Sequence, residues 1–200
     1  IFTLFGLIGQ VAWTIENMYL NVYLYKTVTF DPDAIAAMVA ASAIVATVAT
    51  LTMGALSDRL GRRRIFMWSG YIIWGVSIIG FGFINKETVG SWFPGFEVVA
   101  ATVTLIIVLD CLMTFIGSTA NDAAFNAWVT DVTHPTNRGK AEGLIATMPL
   151  LGMLVVFGAL DGYTQRGEWK AFFFIVGIVV IIAGVLGFLL VQDVPRQRAQ

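Results

Sequence analysis

Six long apolar runs constrain this chain more than any other feature of its sequence. Each holds about 20 residues, and a helix of that length, at about 1.5 Å per residue, crosses the hydrocarbon core of a bilayer. Of the 200 residues, 58% are hydrophobic and only 12% are charged, whereas soluble domains are about one quarter charged. The sequence therefore predicts an all-α integral membrane protein, a bundle of six transmembrane helices. The runs cover about 2–25, 34–56, 65–84, 98–125, 142–160 and 170–191.

The domain organisation follows from these runs. Short segments rich in Gly, Pro, Asp and Asn separate them, as expected for connections between helices. We predict one six-helix bundle over residues 1–192, and the start of a cytoplasmic linker at 193–200.

Basic residues are divided unequally between the two sides of this bundle. Because alternate connections share a side, the connections 2–3 and 4–5 lie together with the C-terminus. That side carries Arg59, Arg62, Arg63, Arg64, Arg138, Lys140, Arg196 and Arg198. The opposite side carries Lys26, Lys86, Arg166 and Lys170. The positive-inside rule then predicts that the richer side is cytoplasmic, in a plasma or inner membrane.

Two segments that follow the second and fifth runs resemble each other. The first reads GALSD at residues 54–58, with Arg62 after it, and the second reads GALD at 158–161, with Arg166 after it. They occupy matching places in the two halves of the bundle, on opposite sides of the membrane. This pattern predicts a 3+3 inverted repeat, an organisation common in secondary transporters.

The segment GALSDRLGRR at residues 54–63 resembles the signature between helices 2 and 3 of the major facilitator superfamily, G-x-L-a-D-r-x-G-r-k. The resemblance covers the whole chain, and it implies the N-terminal half of a twelve-helix transporter. In that family the signature forms a cytoplasmic charge latch that breaks during alternating access. The resemblance implies the same role for Gly54, Asp58, Arg59, Gly61 and Arg62.

A second segment, DAAFNAWVTDVTHPTNRG at residues 122–139, resembles the end of helix 4 in the glycoside–pentoside–hexuronide:cation symporters, the melibiose-carrier branch. This match implies that Asp131 and Arg138 flank a cytoplasmic turn and join the latch. The carboxylates of that branch's sodium site are missing, because Gln10 and Thr50-Leu51 stand at their positions. The resemblance therefore favours a proton over sodium as the coupling ion.

Three carboxylates interrupt the apolar runs, namely Glu16, Asp110 and Asp122. A charge near mid-bilayer costs at least about 2.5 kcal/mol, so such residues usually face a cavity or a partner. In a cavity of low dielectric, a carboxylate can bind and release a proton near neutral pH. We therefore predict that the protonation site is among these three residues, with Asp110 or Glu16 ahead of Asp122.

Aromatic rings and amides accompany these carboxylates, and they suit a sugar-like solute. The predicted solute-binding residues are Trp13, Asn17, Asn21, Tyr23, Asp110 and Asn121. Asn121 is included because, at about 100° per residue, it falls on the helix face of Asp110. The same residue types also occur as hydrogen-bonding pairs between helices or as an aromatic belt at the membrane surface.

Several functions are excluded by what the sequence lacks. It has no Ser/Cys–His constellation, no phosphate-binding glycine loop and no metal-ligand spacing, so we expect neither an enzyme nor a bound metal or cofactor. It also has no basic patch with interleaved aromatics, so nucleic acid is not an expected partner. The expected partners are the bilayer, the solute and a second six-helix bundle, because six helices enclose only half of such a cavity.

Together these features predict a secondary active transporter of a small polar solute, a sugar first, coupled to protons and working by alternating access. Three alternatives remain open: an exporter of drugs or lipids, a facilitative uniporter, and a non-transporting membrane sensor built on the same bundle.

Overall fold

The computed structural model describes residues 2–191, so the predicted linker at 193–200 lies outside the described residues. Within residues 2–191 all regular secondary structure is helical, as the sequence predicts. The elements are α1 (Phe2–Thr14), π1 (Ile15–Tyr19), α2 (Leu20–Tyr23), π2 (Leu24–Val28), α3 (Pro32–Leu60), α4 (Arg63–Phe81), α5 (Lys86–Trp92), α6 (Val98–Gly117), π3 (Ser118–Phe125), α7 (Asn126–Val132), α8 (Pro135–Ala159), α9 (Asp161–Gln165) and α10 (Trp169–Leu190).

Five of the helical stretches between residues 2 and 191 are long and apolar enough to cross a bilayer. We name them span 2 (α3), span 3 (α4), span 4 (Val98–Val132), span 5 (α8) and span 6 (α10). Residues 2–28, from α1 to π2, are also helical throughout, but two π segments interrupt the α-helix, and we name this stretch span 1. The prediction of an all-α membrane bundle is confirmed.

Helix ends extend beyond the apolar runs because polar caps, and not hydropathy, decide where a helix stops. Span 2 starts at Pro32, where the side chain of Asp31 accepts a hydrogen bond from the Asp33 N–H at 3.0 Å. It ends at Gly61, whose φ of +62° is the left-handed conformation that glycine adopts without strain. Only Arg62 separates Gly61 from α4, so spans 2 and 3 reverse direction in a tight turn.

The contacts between spans follow a symmetric pattern. Extensive contacts join span 3 to span 6, span 2 to span 4, span 3 to span 4 and span 1 to span 5, and weaker contacts join span 1 to span 6. Suppose that span 1 is exchanged with span 4, span 2 with span 5, and span 3 with span 6. The list of contacting pairs then stays the same. An inverted repeat of three helices predicts this relation.

Spans 3 and 6 form the tightly packed back of the bundle. A Cβ added to Gly75 would lie 2.5 Å from the Gly177 carbonyl oxygen, and one added to Gly177 would lie 2.6 Å from the Gly75 carbonyl oxygen. The two backbones therefore touch directly, as small residues permit in membrane helices. Of the five long apolar helices, spans 2 and 5 are the least buried, and spans 3 and 6 are the most buried.

Candidate solute cavity and charge cluster

A cavity of about 460 Å³ opens between spans 1, 2 and 4, and we call it the central cavity. Its volume falls in the range usual for small-molecule sites. Span 1 contributes Gln10, Trp13, Glu16, Asn17 and Asn21, span 2 contributes Met38, Val39, Ser42, Ala43 and Ala46, and span 4 contributes Asp110 and Asp122. Six of the predicted site residues thus come together here: Trp13, Glu16, Asn17, Asn21, Asp110 and Asp122.

Two carboxylates of the central cavity are almost fully buried. Glu16 is 8% exposed and Asp110 is 1% exposed. The Thr114 hydroxyl donates to Glu16 Oε1 at 2.7 Å, which ties span 1 to span 4. Among residues 2–191, no hydrogen-bond donor reaches Glu16 Oε2 or Asp110 Oδ1. Each carboxylate therefore keeps one buried oxygen without a hydrogen-bond donor among the described residues.

The amides on the cavity wall also present unpaired acceptors. Asn17 Nδ2 donates to the Trp13 carbonyl at 2.9 Å, and Asn21 Nδ2 donates to the Asn17 carbonyl at 2.8 Å. Both donors are thus used within span 1. Asn21 Oδ1 is buried and receives no hydrogen bond from any described residue.

The π3 segment explains why Asp122, and not Asn121, lines the central cavity. Each π turn takes about one residue more than an α turn, so residues after Gly117 are rotated back relative to a continuous α-helix. Asn121 therefore points away from the cavity, and its Oδ1 accepts a hydrogen bond from the Tyr71 hydroxyl at 3.0 Å. It occupies the space beside Gly9, where a Cβ would lie 2.6 Å from the same oxygen.

Tyr23 also lies outside the central cavity, so the structure does not bring it or Asn121 to the predicted solute site. Its side chain is buried, and its hydroxyl donates to the Ile84 carbonyl at 2.5 Å. The ring packs edge-on against Phe173 of span 6, with centroids 5.3 Å apart. The π1 segment precedes Tyr23 in the chain and shifts the helix register in the same way as π3.

At the other end of span 2, Arg63 joins two carboxylates in a charge cluster that we define as Asp58, Arg63 and Asp131. Arg63 Nη2 lies 2.7 Å from Asp58 Oδ1, and Arg63 Nη1 lies 2.8 Å from Asp131 Oδ2. The cluster therefore links the connection between spans 2 and 3 to the end of span 4. The Arg63 side chain is only 15% exposed, whereas the two carboxylates are about half exposed.

The charge cluster uses a different arginine from the ones expected. Arg62 is the cap residue before α4 rather than a bridge, because Gly61 turns the chain and α4 begins at Arg63. Arg138 Nη2 donates to the Thr130 carbonyl at 3.0 Å and so closes the turn between spans 4 and 5. Arg59 lies in the last turn of span 2, and a Cβ added to Gly54 would lie 3.8 Å from the Ala123 Cβ of span 4, an ordinary van der Waals contact.

A second polar cluster lies on the opposite side of the bundle, at the segment that echoes the arginine motif. The Tyr19 hydroxyl donates to Asp161 Oδ1 at 3.0 Å, and Thr164 Oγ1 donates to the same oxygen at 3.0 Å. Hydrogen bonds, chiefly from Gln165, and the charge of Lys26 hold the pKa of Asp161 below its ordinary value. This cluster joins span 5 to span 1, just as the charge cluster joins span 2 to span 4. Arg166 is not part of it and pairs with Glu168 at 3.2 Å.

The comparison with known families agrees with this architecture. The model of the family described as the Major Facilitator Superfamily matches residues 2–200 of the chain. No solved structure matches the chain.

Proposed function

The chain belongs to the Major Facilitator Superfamily, and from this premise we propose that it carries a small polar solute, a sugar in the first instance, in symport with protons. Membership makes the chain part of an integral membrane transporter. The solute, the coupling ion and the orientation are our proposals, and they rest on the geometry of the central cavity and the charge cluster.

The observation that carries the proposal is the pair of buried carboxylates, Glu16 and Asp110, on the wall of the central cavity. They belong to spans 1 and 4, which are equivalent positions in the two repeats. Secondary transporters place their solute and coupling-ion sites between repeats, near the middle of the membrane. A carboxylate in that position bears a high cost as an anion, so proton binding and release there can drive a conformational change.

Proton coupling then has a simple structural basis. The Thr114 hydroxyl donates to Glu16, so it stabilises the anion and connects the two spans that line the cavity. When Glu16 takes up a proton, this hydrogen bond weakens, because charge-assisted hydrogen bonds are roughly twice as strong as neutral ones. Spans 1 and 4 are then freer to shift against each other.

Sugar recognition is supported by the residues around the carboxylates. The Trp13 indole on the wall offers a flat apolar face, and Asn21 offers an unpaired acceptor to a hydroxyl group. The resemblance of residues 122–139 to the melibiose-carrier branch points to the same class of solute. Because Gln10 and Thr50-Leu51 replace that branch's sodium-site carboxylates, we propose a proton as the coupling ion.

The charge cluster of Asp58, Arg63 and Asp131 is the proposed cytoplasmic latch. It ties the connection between spans 2 and 3 to the end of span 4, on the side that the excess of Lys and Arg makes cytoplasmic. Closing it holds the cytoplasmic end of the bundle together, and breaking it opens that end. In this mechanism the chain moves against a second six-helix bundle, which completes the cavity.

Uptake into proteoliposomes tests the proposal. We expect the full-length protein to concentrate a radiolabelled sugar from a panel when the lumen is alkaline, and a protonophore to abolish the concentration step. The Asp110→Asn variant should lose concentrative uptake but keep solute exchange, whereas the exposed control Glu142→Gln should match the parent. Concentrative, pH-dependent uptake by Asp110→Asn contradicts the role of Asp110. Uptake driven by sodium contradicts proton coupling, and no uptake of any solute favours the sensor alternative.

A further inference from the structure

We propose that the solute carries a positive charge beside its hydroxyl groups, and that Glu16 and Asp110 bind its ammonium group. Chemically this is an amino sugar or an amino alcohol, not a neutral sugar. The inference deepens the proposed function, because it requires the central cavity to be the solute site.

The charges of the central cavity are the first reason. Its wall carries the carboxylates Glu16, Asp110 and Asp122, and no Lys, Arg or His among residues 2–191 contributes to it. Glu16 and Asp110 are also almost fully buried. Buried charges are costly unless a partner compensates them. A neutral sugar leaves this negative potential uncompensated, whereas an ammonium group offsets it.

The unpaired polar atoms are the second reason. Glu16 Oε2, Asp110 Oδ1 and Asn21 Oδ1 are buried without a hydrogen-bond partner among the described residues, and all three are acceptors. Three side chains of the cavity already use their donors within their own span. The Ser42 hydroxyl donates to the Met38 carbonyl at 2.9 Å, and the Asn17 and Asn21 amides donate within span 1. An ammonium group has only donors, so it matches this surface better than a ligand rich in acceptors.

The shape of the cavity favours an organic cation over a metal ion. Within residues 2–191, no three His, Cys, Asp or Glu side chains come together closely enough to hold a metal ion. The cavity, at about 460 Å³, is also far larger than a single ion requires. Trp13 and Met38 give its wall an apolar portion, and an indole attracts an organic cation through its ring face. Because the cavity has two buried carboxylates, Glu16 and Asp110, one can carry the proton while the other binds the ammonium group.

Binding to the full-length protein in lipid nanodiscs tests the inference with two matched pairs of probes. Glucosamine is compared with glucose, and choline with its neutral carbon isostere dimethylbutanol, by equilibrium dialysis. We expect a charged probe to bind at least about tenfold more tightly than its neutral partner. The preference should vanish in Glu16→Gln and Asp110→Asn and persist in the exposed control Glu142→Gln. The ratio in the parent protein decides the question even if a variant fails to fold.

Three results overturn the inference. One is equal or tighter binding of the neutral probes, and another is no saturable binding of either charged probe. The third is displacement of the bound charged probe by sodium at lower concentrations than by any ammonium compound, which makes the site one for an inorganic cation. If charged and neutral probes bind equally and a neutral sugar is taken up with protons, the inference fails but the proposed transport function stands. If glucosamine binds tightly but no solute is taken up, the proposed transport function fails, whereas the preference of the cavity for a cationic solute stands.

Discussion

Arg63 bridges Asp58 and Asp131, whereas the signature motif and the match near span 4 pointed to Arg62 and Arg138. The sequence could locate the cluster, because Gly54, Asp58 and Gly61 stand at the fixed positions of the signature that the segment resembles. It could not select the arginine, because the choice among Arg62, Arg63 and Arg64 depends on how Gly61 turns the chain. The left-handed turn makes Arg63 the first residue of α4 and brings it beside Asp58.

A double-mutant cycle distinguishes the two arginines. We expect Arg63→Gln and Asp131→Asn to couple by about 0.5–1 kcal/mol in the free energy of unfolding, because they remove the same half-exposed ion pair. Arg62→Gln and Asp131→Asn should be additive within about 0.3–0.5 kcal/mol. The measurement is reversible unfolding of the purified protein in detergent. Coupling of Asp131 to Arg62 but not to Arg63 contradicts the geometry of the charge cluster.

Asp161 makes a prediction about acid stability. Its pKa is lowered in the folded protein, mainly by the hydrogen bond from Gln165, so its anion stabilises the fold. That contribution is fully present above the ordinary carboxyl pKa of 3.8 and is lost as the pH falls through the lowered value. Asp161→Asn should therefore lower the melting temperature at neutral pH and reduce the further drop on acidification.

The matched control for this measurement is Asp33→Asn, which changes an exposed aspartate on the same side of the bundle. It should leave both melting temperatures close to those of the parent. An Asp161→Asn variant with the parent's stability at every pH would contradict the stabilising role of the Tyr19, Thr164 and Gln165 hydrogen bonds.

At the scale of the helices, two of the three π segments, π1 and π3, explain most of the difference between the predicted and the observed site. Glu16 and Asp110 were predictable, because an unpaired charge inside an apolar run is costly wherever the helix turns. Asn121 and Tyr23 were not placed correctly, because a regular period of about 100° per residue fails after π3 and π1. No residue in STANDAAF marks the change of period. Met38 and Ser42 gave no signal, since they lie in a run of small apolar residues.

The close contact between spans 3 and 6 predicts that replacing a glycine by alanine destabilises the protein inside the contact but not outside it. Gly177→Ala should lower stability by about 1–3 kcal/mol, because its Cβ would lie 2.6 Å from the Gly75 carbonyl oxygen and force the backbones apart. Gly143→Ala, in span 5, meets no atom within 4 Å and should be neutral or stabilised by up to about 1 kcal/mol. Thermal unfolding of the two variants in detergent measures the difference. Equal stability of both would show that spans 3 and 6 are not packed this closely in the membrane.

For the whole molecule, the inverted repeat connects the sequence echo to the packing. The two GAL segments lie at the ends of spans 2 and 5, and their aspartates connect them to span 4 and span 1, respectively. The echo predicted an inverted repeat with the two segments at matching places. It did not predict the partners, since Asp58 is bound through an arginine and Asp161 through a tyrosine hydroxyl. Only the assembled fold brings those partners into reach.

Alternating access makes the last prediction, which concerns Ala43 on the span 2 wall of the central cavity. In a Cys111→Ser background, we expect Ala43→Cys to react with a membrane-impermeant maleimide faster from the external side than from the cytoplasmic side, because the proposed latch closes the proposed cytoplasmic side. Adding Arg63→Gln should raise the cytoplasmic rate about fivefold, as expected for a latch worth about 1 kcal/mol. Ile182→Cys, half exposed in the middle of the apolar span 6, should stay unlabelled from both sides, because we expect lipid to cover it. An unchanged cytoplasmic rate in Arg63→Gln would mean that Asp58, Arg63 and Asp131 hold the fold together without controlling access to the cavity.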